Sequence, residues 1–170
     1  MAASPPEQEP VSLLRRLGSM VYDGLLLLAI WMVLGLLFVF LGNLTGRTLI
    51  PLQFAANLVA AWLFLVWFWT RTGQTLGMQT WQIRLRDESG GQVTNWKATL
   101  RYLVALAQWL LVLFAIHLAR EYGAAVTVAV TALAGIGLGL SQLHPRRLML
   151  HDWLSGTVLV HAQRQAVTAH

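Results

Sequence analysis

Long apolar stretches are the dominant pattern along the chain. Four of them contain no charged residue and are rich in Leu, Val, Phe and Ile, covering 24–46, 48–70, 102–119 and 122–145. A helix needs about 20 residues to cross a hydrocarbon core of ~30 Å, so each stretch is long enough, the third only just. The pattern predicts four transmembrane helices, at about 18–42, 51–70, 101–119 and 123–143.

The polar loop between the second and third apolar stretches has a pattern of its own. Residues 81–86 alternate apolar and polar side chains, which is the period of a half-buried strand. Turn-forming residues at 87–91 and a possible return strand at 92–93 predict a short β-hairpin. Thr94 or Asn95 is the predicted N-cap of the third helix.

The C-terminal segment 148–160 is apolar but too short to span a membrane, which predicts an interfacial or re-entrant segment. The expected fold is therefore an all-α membrane protein with four transmembrane helices, a short cytoplasmic β-hairpin and this C-terminal segment. Residues 13–161 form the transmembrane domain. The flanking residues 1–12, which are rich in Pro and Glu, are predicted as a disordered tail, and 162–170 as a C-terminal tail.

The fourth apolar stretch carries a packing face. Small residues recur at every fourth position, which lets another helix approach closely. They are Gly123, Thr127, Thr131, Gly135 and Gly139. The partner is helix 1 or 3 of the same chain, or helix 4 of a second copy in a homo-oligomer. Arg120 and Glu121 separate this stretch from the third, which predicts a tight helical hairpin; one long buried helix is the alternative.

The distribution of charged residues predicts how the helices are oriented in the membrane. Charged residues make up only 11% of the chain, against about 25% in soluble domains. The net charge of +5 raises the question of nucleic-acid binding. Only Arg47 and Arg120 lie in the loops between helices 1 and 2 and between helices 3 and 4, whereas ten basic residues lie before helix 1, around loop 71–100 and after helix 4. The positive-inside rule places these ten, and both termini, in the cytoplasm and explains the charge without nucleic acid. The ten are Arg15, Arg16, Arg71, Arg84, Arg86, Lys97, Arg101, Arg146, Arg147 and Arg164.

Motifs of catalysis are missing from the sequence. There is no cysteine, which excludes disulfides and cysteine-bound metals, and no nucleophile or phosphate-loop motif. His144, His151 and Asp152 lack the spacing of metal ligands. We therefore expect no enzymatic activity, no cofactor and no metal site. The expected partners are the lipid bilayer, a second copy or another membrane protein.

Two aspartates in apolar surroundings are the candidate functional residues. Arg16 precedes Asp23 by seven residues, so the two share a helix face about 10 Å apart along the axis. An ion pair would require a fully extended arginine, which makes Arg101 or Asp152 a candidate to lie between them. The cluster of these four residues is either a site for a proton or cation, or a structural clamp between the C-terminal segment and helix 1.

Uncharged polar residues on two helices are further candidates. Gln53 and Asn57 are four residues apart in the second helix, and Gln108 and His117 lie in the third. They form either a polar lining or interhelical hydrogen bonds.

Four short patterns appear in a fixed order from Arg16 to Val160. They are Arg-x6-Asp at 16–23, Gly-x-Thr-Leu-Gly at 73–77, Asp-Glu-Ser-Gly-Gly at 87–91 and His-Asp-x-x-x-Gly-Thr at 151–157. In this the chain resembles the RDD family of small integral membrane proteins, named for one arginine and two aspartates. The resemblance implies that Arg16, Asp23 and Asp152 are those three residues. Met78-Gln79 departs from the basic residues expected after the second pattern.

The resemblance also bears on function. The family has been described as of unknown or transport-related function, which implies a role in transport of ions or small solutes. The alternative is a non-catalytic structural or assembly subunit of a membrane complex, with the Arg/Asp set as a clamp. Family and size together suggest a bacterial inner membrane.

Overall fold

Helices make up most of the described chain. The computed structural model of the protein describes residues 11–122, 128 and 150–162. In chain order the elements within these residues are α1 (Leu13–Thr45), α2 (Ile50–Arg71), α3 (Leu76–Thr80), β1 (Ile83–Asp87), α4 (Asn95–Tyr122), α5 (Leu150–Ser155) and β2 (Thr157–His161).

Three helices are long and apolar enough to cross a membrane: Leu13–Thr45, Ile50–Arg71 and the part of α4 at Asn95–Leu118. They confirm the first three predicted spans. At 1.5 Å per residue, the 33 residues of α1 extend about 50 Å, which is longer than a hydrocarbon core. The predicted fourth span, 123–143, and its small-residue face lie outside the described residues, apart from Val128.

The helix ends follow the local sequence. Pro51 lies in the first turn of α2, where its missing N–H costs no helical hydrogen bond. Gly46 ends α1 in a left-handed conformation with φ of 63°, and its amide donates to the carbonyl of Gly42. Thr94 is the N-cap of α4, because its hydroxyl accepts from the amide of Lys97 (3.5 Å).

The C-terminal end of α4 differs from the expected position of the helical hairpin. The helix continues through Arg120 and Glu121 to Tyr122, so these two residues do not form the turn. The residues that follow lie outside the described part of the chain.

A two-stranded sheet joins distant parts of the chain. β1 pairs with β2, and the amides of Ala162 and Glu88 donate to the carbonyls of Gln82 (2.9 Å) and Gly156 (3.1 Å) at the two ends. This register is antiparallel. The alternation predicted for the first strand is confirmed, since the side chains at 83, 85 and 87 are buried and those between them are half-buried.

The second strand is not the one predicted. The interpretation of 92–93 as the return strand is wrong, because only three residues separate the turn at Gly90 from the N-cap Thr94. The segment Thr157–His161 takes the place instead, and its β-branched residues suit a strand.

The chain divides into two compact units, Met1–Leu85 with Leu159–His170 and Arg86–Val158. In the first unit α1 packs against α2 and α3, and in the second α4 packs against α5.

Buried residues of the first unit collect near the start of α1. Val11, which precedes α1, is 1% exposed. By contrast, large apolar residues farther along α1, such as Leu36 (72%) and Phe40 (61%), are exposed. An apolar surface of this extent on a helix of spanning length is suited to lipid or to another membrane helix.

Trp81 packs against α1 at a glycine. A Cβ atom on Gly18 would lie 2.3 Å from the indole ring of Trp81, far inside van der Waals contact. The loop that follows α3 therefore approaches α1 closely because residue 18 has no side chain.

Candidate functional site

Asp23 is bound by two donors from the segment that begins α3. The carboxyl is buried (8% exposed). The hydroxyl of Thr75 donates to Oδ2, and the amide of Gly77 donates to Oδ1 (2.9 Å). We call Asp23, Thr75 and Gly77 the first carboxylate site. Both oxygens of Asp23 have protein donors, which is what a buried carboxylate requires.

Thr75 connects α1 to the start of α3. It is the N-cap residue of α3, and its hydroxyl oxygen accepts from the amide of Met78 (3.2 Å) while the hydroxyl hydrogen goes to Asp23. One side chain thus satisfies a free amide of the first turn and anchors that turn to α1.

The two glycines of the Gly-x-Thr-Leu-Gly pattern contact different elements, Gly77 contacting α1 and Gly73 contacting β1. A Cβ atom on Gly77 would lie 2.4 Å from the carbonyl oxygen of Ser19 and 2.9 Å from the carboxyl carbon of Asp23. Gly73 has a φ of 69°, and its carbonyl accepts from the amide of Leu85 (2.7 Å). The pattern therefore encodes the close approach of this loop to α1 and to β1.

Arg16 lies on the same helix as Asp23 and is 3% exposed. Its Nε donates to the carbonyl of Val11 (3.2 Å), and the hydroxyl of Ser19 donates to the Arg16 carbonyl (2.8 Å). The guanidinium therefore fixes the residues that precede α1. The sequence predicts Arg101 or Asp152 between Arg16 and Asp23, whereas the partners that the structure gives Asp23 are Thr75 and Gly77.

Arg101 and Asp152 form an ion pair in the second unit. Arg101 is 4% exposed and Asp152 is fully buried. The same guanidinium nitrogen, Nη1, donates to the hydroxyl of Thr157 (2.9 Å), which lies 2.8 Å from the hydroxyl of Ser155. We call Arg101, Asp152 and Thr157 the second carboxylate site. It joins α4 to α5 and to the first residue of β2.

Gly156 makes the second carboxylate site geometrically possible. Its φ is 59°, in the left-handed region, and its amide donates to the carbonyl of Trp153 (3.2 Å) at the end of α5. This turn places Thr157 on the same guanidinium as Asp152, which lies five residues earlier. The spacing of the His-Asp-x-x-x-Gly-Thr pattern follows from it. Of His151, only the helical backbone is described.

The four charged residues that the sequence groups into one cluster are divided between the two compact units. Arg16 and Asp23 lie in the first unit, and Arg101 and Asp152 lie in the second. All four are buried, and each aspartate has partners within its own unit. A single site made by all four stays a prediction.

Asp87 anchors the turn that follows β1. Lys97 lies 2.6 Å from its Oδ2, and the amide and hydroxyl of Ser89 both donate to Oδ1 (3.0 Å). The Lys97 ammonium, followed by the Ser89 amide, holds the pKa of the Asp87 carboxyl below its usual value. Gly90 completes the turn with a φ of 86°.

The four residues of the proposed polar lining lie on α2 and α4. In the first unit, Asn57 accepts from the indole of Trp31 (3.0 Å) through its carbonyl, and Gln53 faces Gly35 of α1, where its amide would lie 3.3 Å from an added Cβ. In the second unit, Gln108 is half-buried and His117 is exposed. A shared lining stays a prediction.

Within residues 11–122 and 150–162, no three His, Asp or Glu side chains gather closely enough to bind a metal ion.

The chain belongs to the RDD family. The sequence model of this family matches residues 10–156. The match contains all four patterns and both carboxylate sites, except for Thr157, which is the last residue of the fourth pattern. No curated protein matches the chain. The family match and the three apolar helices together make the chain an integral membrane protein.

Substitution of Gly77 tests the close approach of the loop to α1. Gly77→Ala should lower the free energy of unfolding by about 1–3 kcal/mol, because the new methyl group overlaps the Ser19 carbonyl. Gly24→Ala is the matched control, since a Cβ there meets nothing within 4 Å. Denaturation of the two purified variants in detergent measures the difference. Equal stabilities would contradict the packing described here.

A double-mutant cycle tests the bond between Asp23 and Thr75. The effects of Asp23→Ala and Thr75→Val should be non-additive by about 1–3 kcal/mol, because each change removes the same buried hydrogen bond. Thr80→Val is the control partner, since the Thr80 hydroxyl is exposed and donates to Leu76. A coupling no larger for Thr75 than for Thr80 would show that Asp23 does not depend on this donor.

The lowered pKa of Asp87 predicts a pH dependence. The stability that Lys97 and Ser89 add is present above ~3.9, the usual pKa of Asp, and is lost as the pH falls through the lower pKa of the folded state. The difference in melting temperature between wild type and Asp87→Asn should therefore shrink from about pH 6 to about pH 3. A difference that does not change with pH would refute the assignment.

Proposed function

We propose that this protein is a non-catalytic assembly component of a membrane complex. Its buried Arg and Asp side chains act as structural clamps at the polar ends of its helices. The observation that carries this proposal is the first carboxylate site: both oxygens of Asp23 accept hydrogen bonds from protein donors, at 8% exposure. A carboxylate that binds a transported ion would need to be accessible to water, whereas Asp23 is buried against the segment that supplies its donors.

The cost of charge in an apolar helix explains why clamps are needed. An aspartate within a membrane helix costs about 2.5–3.5 kcal/mol unless it is paired. Asp23 avoids this cost by binding Thr75 and Gly77, so the loop must lie against α1. Asp152 avoids it by pairing with Arg101. Removing one member of a buried ion pair costs about 3–5 kcal/mol, which makes the Arg101–Asp152 pair a strong determinant of the fold.

The apolar helix surfaces supply the proposed contacts to other proteins. Exposed Leu and Phe side chains of α1 offer a surface to lipid or to neighbouring helices. The small-residue face predicted for 123–139 suits close packing against a helix of a second copy or of a partner. In the cytoplasmic-termini orientation predicted from charge, both carboxylate sites lie on the cytoplasmic side.

Transport of ions or small solutes is the second candidate function. It is favoured by Asn57, because its buried side-chain Oδ1 has no hydrogen-bond partner within the described part of the chain. Gln53 lies one turn earlier on the same face of α2. An acceptor of this kind in an apolar span is available to a cation or a polar solute.

One experiment on reconstituted protein separates the two functions. Wild type, Asp23→Asn and Asn57→Leu are placed in liposomes containing a pH-sensitive or cation-sensitive dye, and their melting temperatures are measured in detergent. The assembly proposal predicts no flux from any of them and a lower melting temperature for Asp23→Asn. Flux by wild type that is lost in an Asp23→Asn protein of unchanged stability would overturn it.

Native membranes supply the positive test of assembly. A tagged wild-type protein extracted in mild detergent should migrate in native electrophoresis well above the mass of one 18.9 kDa chain with its micelle. Asp23→Asn should reduce that species, whereas Thr80→Val, an exposed change on α3, should leave it intact. Migration of the wild type as a monomer would contradict the proposal.

A further inference from the structure

A cleft lies between the last turns of α1 and the first turns of α2. Its volume is about 440 Å³, within the range of ~300–1,000 Å³ for ligand sites. Gly42, which lines it, follows Asp23 by 19 residues on one continuous helix. That separation is about 28 Å along the axis, so the cleft lies at the opposite membrane surface from the first carboxylate site.

Part of the cleft lining is apolar. Phe38 and Val39 contribute from α1, and Leu49 and Ile50 contribute from the start of α2. Gly42 allows the chain to turn tightly here, because its carbonyl accepts the amide of Arg47 (3.3 Å) and an added Cβ would lie 3.0 Å from the Arg47 carbonyl. These walls are suited to a hydrocarbon chain.

The rest of the lining is polar and carries one positive charge. Asn43, Thr48 and Gln53 supply neutral hydrogen-bonding groups beside Arg47. Arg47 is exposed and is the one charged residue in the sequence from 24 to 70. Within the described residues no hydrogen bond or ion pair occupies its guanidinium. A positive charge with no acidic neighbour in sequence, beside a hydrocarbon-lined wall, is complementary to an anionic amphiphile.

We propose that this cleft binds an anionic phospholipid of the surrounding bilayer. The phosphate contacts the Arg47 guanidinium, which is a good phosphate partner. The glycerol and ester oxygens face Asn43 and Gln53, and an acyl chain lies along Phe38 and Val39. A zwitterionic lipid binds less well, because its own cationic group lies near Arg47. The proposal is independent of whether the protein assembles or transports.

Lipid titration monitored by native mass spectrometry tests the proposal. Dioleoylphosphatidylglycerol and dioleoylphosphatidylcholine are added separately to the detergent-solubilised protein, and the lipid-bound fractions are compared. One arginine at a membrane surface is worth about 1 kcal/mol toward an anionic lipid, which corresponds to an affinity ratio of about fivefold. Wild type should show this preference for phosphatidylglycerol.

Two arginine variants locate the site. Arg47→Gln should abolish the preference, whereas Arg71→Gln, an exposed arginine in the last turn of α2 and thus at the other end of that helix, should retain it. Equal loss in both variants, or no preference in wild type, would overturn the proposal. Arg47 is exposed, so its variant is expected to fold, and its melting temperature verifies this.

A third variant and a competitor separate a lipid from free phosphate. Val39→Trp fills the apolar wall and should weaken binding of both lipids while Arg47 is intact. Inorganic phosphate at millimolar concentration should not displace phosphatidylglycerol. Full displacement by phosphate, with no effect of Val39→Trp, would assign the cleft to a free anion and overturn the lipid assignment.

Discussion

A buried carboxylate has to receive hydrogen bonds from the protein, and the shape of the first unit depends on how Asp23 receives its two. The donors come from Thr75 and Gly77, more than 50 residues away in sequence. To reach them, the loop must lie directly against α1, which only glycine permits at position 77. Gly73 then directs the same loop toward β1 through the amide of Leu85. One acidic side chain thereby fixes α3 and the edge of the sheet.

The second unit also contains a buried carboxylate, but its partner is of a different kind. Asp152 is fully buried and pairs with a cation, Arg101, rather than with neutral donors. The pair also binds Thr157, so it determines where α5 ends and β2 begins. In both units an acid in apolar surroundings is bound by a distant segment of the chain, and this contact fixes the tertiary structure. In each site a glycine next to the contact supplies the backbone geometry.

Much of this architecture could be predicted from sequence, and the missing part has a physical reason. Uninterrupted apolar stretches predict the spans because bilayer thickness sets their length. The alternation at 81–86 predicts β1 because period two is a local property. The predicted pairing of β1 with 92–93 is wrong, because a hairpin prediction considers only neighbouring residues. The true partner, Thr157–His161, is distant in sequence. The partners of Asp23 were missed for the same reason: periodicity gives the face of a residue, not the loop that folds back to it.

Hydrogen exchange most directly tests the claim that the two aspartates are structural. In wild type reconstituted in nanodiscs, peptides covering 75–80 and 152–158 should be protected. Asp23→Asn should increase exchange in 75–80, and Asp152→Asn should increase it in 152–158, because each change releases the segment bound by that carboxylate. Unchanged exchange in both variants would contradict the clamp and show that these carboxylates are dispensable for the fold.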